Sequence, residues 1–234
     1  MIAPSRSPVI VALDHQSADD ALSLVKQLSP ELCRLKVGKH LFVRFGPDFV
    51  RQLISLGFDV FLDLKFHDIP NTVQDACRAA AELGVWMLNV HCQGGERMLQ
   101  AAKQGVLQAS VDKPPLLIGV TVLTSLDDHD LETLGLHETP ADLVLRYARL
   151  AAASGLDGVV CSAMEAPMLR EALPNDFVLV TPGIRLQADD TDDQRRVQTP
   201  EQAIQAGSDY LVVGRSITQA VNPVAALKAL LALS

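Results

Sequence analysis

Val60-Phe61-Leu62-Asp63-Leu64-Lys65-Phe66-His67-Asp68-Ile69-Pro70-Asn71-Thr72 runs from an apolar strand, through a cluster of charge, into a helix start. Residues 60–64 have the length and bulky apolar composition of a strand buried on both faces. Residues two apart in a strand share a face, so Asp63 and Lys65 are expected on one side, with Asp68 a loop further on. Pro70 suits the first turn of a helix, where its missing N–H leaves no bond unmade. Burying opposite charges is costly unless they are paired and hydrogen-bonded. The end of this strand therefore reads as a reactive site rather than core.

The same unit recurs along the chain. Apolar runs at 9–13, 33–37, 87–90, 116–122, 158–161, 177–180 and 210–213 join 60–64 to make eight. Helical patterns fill 18–28, 41–56, 71–83, 95–109, 140–154, 164–173, 200–206 and 223–233. Ser17 ahead of Asp19 and Asp20, Thr139 ahead of Pro140 and Thr199 ahead of Pro200 mark helix N-termini. Gly57, Gly84, Gly155 and Gly207 close helices shortly before the next strand. Near-continuous apolar strands alternating with helices indicate a parallel sheet covered by helices. Eight such units in 234 residues predict an α/β protein, one (β/α)8 TIM barrel over residues 1–234. Its active site is expected at the C-terminal ends of the strands.

Composition narrows the function classes. The chain is 48% hydrophobic, enough for a sizeable core without disulfide or metal support, and its net charge is −8 with no Lys/Arg-rich block. Nucleic acid is not an expected partner, because affinity for phosphate backbones rests on clustered cations. Cys33, Cys77, Cys92 and Cys161 are widely spaced and read as free thiols of a reducing compartment. No apolar run reaches the ~20 residues of a membrane helix, and the N-terminus lacks a signal-like core. A soluble, cytoplasmic protein is expected.

Polar groups stand at nearly every strand exit: Asp14-His15, Lys36-Val37-Gly38, Asp63-Leu64-Lys65, Asn89-Val90-His91, Thr121 to Ser125, Thr181 to Arg185 and Gly214-Arg215-Ser216. At the eighth exit, Gly214 allows close backbone approach and Arg215 offers a planar fork for phosphate oxygens. Pro182-Gly183-Ile184-Arg185 supplies the seventh loop, and barrels often hold phosphate at the loops after these two strands. The polar segment 187–198, with Gln194 inside it, reads as a lid over that phosphate. Lys36 and Lys65 alternate in sign with Asp63 and Asp68, which keeps each group ionised. A lysine ammonium in a dry pocket can protonate a carbanion, so decarboxylation or proton transfer on a phosphorylated substrate is the chemistry indicated.

Rival chemistries draw on the same residues. Asp14, Asp63, His67, Asp68 and His91 offer donors for a divalent ion, but Lys36 and Lys65 already bring positive charge there. His91 reads equally as a hydrogen-bonded bridge between strand ends, and His67 as a packing residue. Cys92 stands at a strand end with no oriented base, and a Schiff base on Lys65 would need a neutral amine among three charges. His15, His40, His129 and His137 read as solvated or capping residues.

The run Asp63 to Val73 resembles the signature of the orotidine 5′-phosphate decarboxylase family. Ala12-Leu13-Asp14, Lys36-Val37-Gly38, Asn89-Val90-His91, Leu123-Thr124-Ser125, Asp157 to Ser162, Thr181 to Arg185 and Val213 to Ser216 extend the likeness in the family's order. The Asp-x-Lys-x-x-Asp core is shared with sugar-phosphate decarboxylases and aldolases, whereas the extension His67-Asp68-Ile69-Pro70-Asn71-Thr72 is specific. The length matches the bacterial form without a fused transferase domain. The resemblance implies decarboxylation of orotidine 5′-monophosphate to uridine 5′-monophosphate, with Lys65 protonating C6 and Asp63 lying against the substrate carboxylate. It implies that Lys36 joins the charged array and the ribose contacts, and that Asp14 binds a ribose hydroxyl. Thr124 and Ser125 would lie near the pyrimidine edge, and Pro182, Arg185, Gln194, Gly214 and Arg215 toward the phosphate. It further implies a homodimer in which Asp68 and Thr72 reach into the partner's site, and no metal or organic cofactor. A magnesium-dependent sugar-phosphate decarboxylase or aldolase, and a phosphate-binding barrel without catalysis, are the other readings.

Overall fold

Every strand pairs in parallel with its neighbour in sequence, and β8 (Tyr210–Val213) pairs with β1 (Val9–Leu13), so the sheet closes on itself. The computed structural model describes residues 7–14, 17–185 and 198–233. Between those two strands run β2 (Arg34–Gly38), β3 (Val60–Phe66), β4 (Met87–His91), β5 (Leu116–Val120), β6 (Gly158–Val160) and β7 (Val178–Thr181). The helices are α1 (Ala18–Val25), α2 (Lys39–Ser55), α3 (Pro70–Glu82), α4 (Gly95–Gln108), α5 (Asp128–Thr133), α6 (Pro140–Ala153), α7 (Ala166–Ala172), α8 (Pro200–Gln205), α9 (Arg215–Thr218) and α10 (Pro223–Leu231). The expected eight-stranded barrel is present.

The strands lack polar alternation because both of their faces are covered. One set of side chains, including Val9, Val11, Leu35, Val37, Leu62 and Leu88, packs outward under the helices. The other, Ile10, Ala12, Phe61, Met87, Ile118, Val180 and Val212, fills the barrel interior. At the N-terminal end this interior is closed by Trp86 and Tyr210, whose rings meet nearly edge-on with centroids 5.0 Å apart. The Arg34 guanidinium lies over both rings. The C-terminal end is open.

Several elements differ from the sequence reading. The helix expected over 41–56 starts at Lys39 and is broken at Gly46, whose φ of 67° lies in the left-handed region; Pro47 then restarts it. The connection after β5 contains the unforeseen helix α5, opened by a capping box between Asp127 and Asp130. Strand β3 continues two residues past Leu64, to Phe66. It does so through an irregularity: Leu62 pairs with Leu88 and Phe66 with Val90, four steps on β3 against two on β4.

Candidate active site

The irregular end of β3 is where the charges gather. Lys65 has φ 53°, the one positive value outside glycine among the described residues. Its backbone N–H leaves the strand ladder and donates to Asn89 Oδ1 at 2.8 Å. Its side chain turns back, so that Lys65 Nζ lies 2.5 Å from Asp63 Oδ1. The same oxygen accepts from Asn89 Nδ2 at 2.7 Å, and Asp63 Oδ2 faces Lys36 Nζ at 3.2 Å. Lys36 Nζ also stands 3.9 Å from Asp14 Oδ1, which extends the array to β1.

Asp63 is 8% exposed. Burial by itself would raise the pKa of its carboxyl. The Lys36 and Lys65 ammoniums, with hydrogen bonds from Lys65 and Asn89, outweigh that and hold it at about 2. The hub is therefore an ionised carboxylate with a cation on each oxygen. Nearby, His91 is pushed down to about 4, first by burial and then by His67, Lys39 and Lys65, with Asp63 opposing. It meets His67 ring to ring, centroids 5.5 Å apart, and this lowered value keeps the His91 imidazole neutral at pH 7.

This array forms part of the wall of a cavity of about 370 Å³ at the C-terminal end of the barrel. Of the residues singled out from the sequence, Asp14, Lys36, Asp63, Lys65, Thr124, Ser125, Pro182, Arg185, Gly214 and Arg215 line it. Phe61, Val120, Val160, Val180 and Val212 add an apolar lining. Gly183, also in the wall, has φ 78°, which lets the chain turn sharply after β7. The cavity thus offers a carboxylate–ammonium array at β1–β3 and two arginines at β7–β8, with a hydroxyl-bearing loop after β5.

Two expected site residues are not brought to this cavity by their own chain. Asp68 and Thr72 lie exposed at the start of α3, and Asp68 Oδ1 accepts from the Ile69 N–H at 2.6 Å. Next to them Ile69 is 67% exposed, an apolar side chain left in solvent. Gln194, His15 and residues 187–197 of the expected lid lie outside the described residues. The residues that flank 186–197 are joined, since Arg185 N–H donates to Gln198 O at 3.1 Å and Gln198 N–H to Gly183 O at 3.3 Å.

The rival donors fare differently. Among the described residues no three His, Cys, Asp or Glu side chains are gathered as a metal cluster. Both Asp63 oxygens face ammonium groups instead. Burial pushes the Cys92 thiol up to about 12, which leaves it a thiol rather than a nucleophilic thiolate. Among the described residues no helix is long and apolar enough to cross a membrane. Asn89 is the site residue whose role sequence reasoning missed. Its signal was a polar side chain at an inward position of an otherwise apolar strand.

Comparison with known proteins covers the same ground. The model for the "Orotidine 5′-phosphate decarboxylase / HUMPS family" matches residues 7–230. An orotidine 5′-phosphate decarboxylase of Pseudoalteromonas translucida is 60% identical over 219 residues, 94% of this chain and 93% of that one. The Vibrio vulnificus (strain YJ016) protein of the same name is 59% identical over 222 residues, 95% of each chain. The crystal structure of orotidine 5′-phosphate decarboxylase from Lactobacillus acidophilus superposes with a TM-score of 0.86 at 39% identity, covering 96% of this chain and 97% of that one.

Proposed function

The chain belongs to the orotidine 5′-phosphate decarboxylase / HUMPS family and is a decarboxylase of pyrimidine biosynthesis, and on that premise we propose how its cavity works. Orotidine 5′-monophosphate enters with its phosphate toward Arg185, Gly214 and Arg215, where planar guanidinium forks match phosphate oxygens. Asp14 and Lys36 take the ribose hydroxyls. Thr124 and Ser125 face the pyrimidine edge, and the C6 carboxylate comes to lie against Asp63.

Two carboxylates in contact repel, and the repulsion vanishes as the substrate carboxylate becomes carbon dioxide. An interaction that improves only along the reaction lowers the barrier rather than tightening substrate binding. The C6–carboxyl bond breaks with its electron pair left on C6. Lys65 Nζ stands beside Asp63 as an ammonium and donates a proton to that carbon, then recovers one from water. Lys36 on the other Asp63 oxygen keeps the array balanced while this happens. We assign no metal or organic cofactor to the cycle. Asp68 and Thr72 serve the partner's cavity in a homodimer. This accounts for their exposed position away from their own cavity, beside an exposed Ile69.

The observation that carries this reading is Asp63 with a lysine ammonium on each oxygen at the cavity wall. The test is a direct absorbance assay with orotidine 5′-monophosphate, run with and without excess chelator. Full-rate conversion in chelator is expected. A strict divalent-metal requirement would move the assignment to a metal-dependent sugar-phosphate enzyme.

A further inference from the structure

We propose that Asn89 is a positioning residue for the decarboxylation, holding the reacting Asp63–Lys65 pair from behind the cavity wall. The proposal rests on the roles given above to Asp63 and Lys65. Asn89 is fully buried and is not among the cavity-lining residues, so it acts through these neighbours rather than on substrate.

The geometry follows from the mismatch between β3 and β4. Leu62 pairs with Leu88 and Phe66 with Val90, so Asn89 alone faces Asp63, Leu64 and Lys65. Its own backbone is secured on the other side, where it pairs with Ile118 of β5. From this rigid strand its amide spans the gap and makes one bond at each end. Oδ1 accepts the Lys65 N–H at 2.8 Å, and Nδ2 donates to Asp63 Oδ1 at 2.7 Å.

Chemistry fixes the amide orientation, because a backbone N–H can only donate and an ionised carboxylate can only accept. Asparagine meets both demands at once. Aspartate lacks the donor, and apolar residues lack both groups. Without the acceptor, a part-buried N–H on a residue at φ 53° would lose its partner, and the left-handed bend that aims Lys65 would lose its support. Without the donor, Asp63 would be free to rotate about the Lys36–Lys65 axis. Displacement of a reacting group by about 1 Å can cost about a hundredfold in rate.

Two variants and two readouts test this. In Asn89→Ala, kcat should fall about a hundredfold while KM stays within about threefold, because the phosphate grip is at the opposite wall. Hydrogen exchange at the Lys65 amide should accelerate at least about tenfold, with cooperative unfolding retained. In Asn89→Asp, the Lys65 N–H keeps its acceptor but two carboxylates meet, so they share a proton at low pH. The protonated acid then donates to Asp63 as the amide did. Activity relative to wild type should therefore climb as pH falls, a signature that a purely structural role would not give. Wild-type kcat in a folded Asn89→Ala variant would overturn the proposal. So would a parallel loss of kcat and folded fraction with an unchanged pH profile in Asn89→Asp. Inactivity of the wild type on orotidine 5′-monophosphate would instead overturn the decarboxylase reading. Lys65 amide exchange needs no substrate, and it would still decide whether Asn89 holds the bend.

Discussion

Arg34 and Lys36 stand two residues apart on β2, both project into the barrel, and their charges are met in opposite ways at its two ends. At the closed N-terminal end the Arg34 guanidinium lies 4.4 Å from the Trp86 ring centroid and 5.0 Å from that of Tyr210. Its Nε is 3.4 Å from Asp59 Oδ2, and it donates to the Ser7 carbonyl. A flat, weakly hydrated cation suits such stacking. At the open end Lys36 is a compact ammonium between Asp63 and Asp14, beside a cavity. Charge at the first end is consumed in closing the fold. At the second it is held ready for a ligand. Burial of a cation is thus no mark of function; what matters is whether its partners are filled or face an opening.

The largest effects should appear at the open end. Lys65→Ala removes the proposed proton donor and should lower kcat by ~100–10,000-fold, the range of general acid catalysis, with cooperative unfolding retained. Lys65→Ala and Asp68→Ala chains are both expected to be inactive alone. Mixed under subunit exchange, they should regain activity in heterodimers that contain one intact composite site. Confirmed exchange without recovery would count against Asp68 and Thr72 acting across subunits. A Lys65→Ala enzyme with near-normal turnover would remove the distinction between the two ends.

The closed end should show the reverse pattern. Arg34→Ala deletes a stacked cation, opens a cavity under two rings and leaves Asp59 without this partner. A loss of about 2–4 kcal/mol is expected in denaturant titration, with kcat per folded molecule retained. Arg34→Met should recover part of that loss through packing alone. A fall in kcat matching that of Lys65→Ala, with unaltered stability, would show that the two ends are coupled rather than separate.

These two ends were not equally legible in the sequence. The barrel could be read because eight apolar runs with helical spacers leave few other topologies. The charged exits could be read because Asp63, Lys65 and Asp68 interrupt apolar sequence. The Arg34–Trp86–Tyr210 plug could not, since its members come from three separate strand regions and each is an ordinary strand-end residue taken alone. Nor could the Asn89 amide bridge. A bulge leaves no periodic signal, and a positive φ at a lysine runs against the expectation that such bends fall on glycine. The break of α2 at Gly46-Pro47 is written in the sequence, but the apolar spacing of 41–56 runs across it and masks it.

The smallest expected effect separates the ends by pH. His91, packed against His67 near the charged array, titrates at about 4 in the folded protein against an ordinary 6.5. Between those values the unfolded chain binds a proton that the folded protein refuses. Stability must then rise with pH across that window: it is complete above 6.5 and declines progressively as pH falls toward 4. Asp63 acts lower. Its carboxyl is held at about 2 against 3.8, so its contribution is present above 3.8 and is lost as pH falls through about 2. His91 is only half-buried, so solvent screening keeps its share below the full shift. Denaturant titrations between pH 6.5 and 4 should therefore show a shallow slope that flattens in His91→Gln. Arg34 keeps its charge throughout this range, so Arg34→Ala should lower the whole curve and leave that slope in place. An unaltered slope in His91→Gln would mean that the proton uptake on acid unfolding lies elsewhere, and that the open end is not the acid-sensitive one over this range.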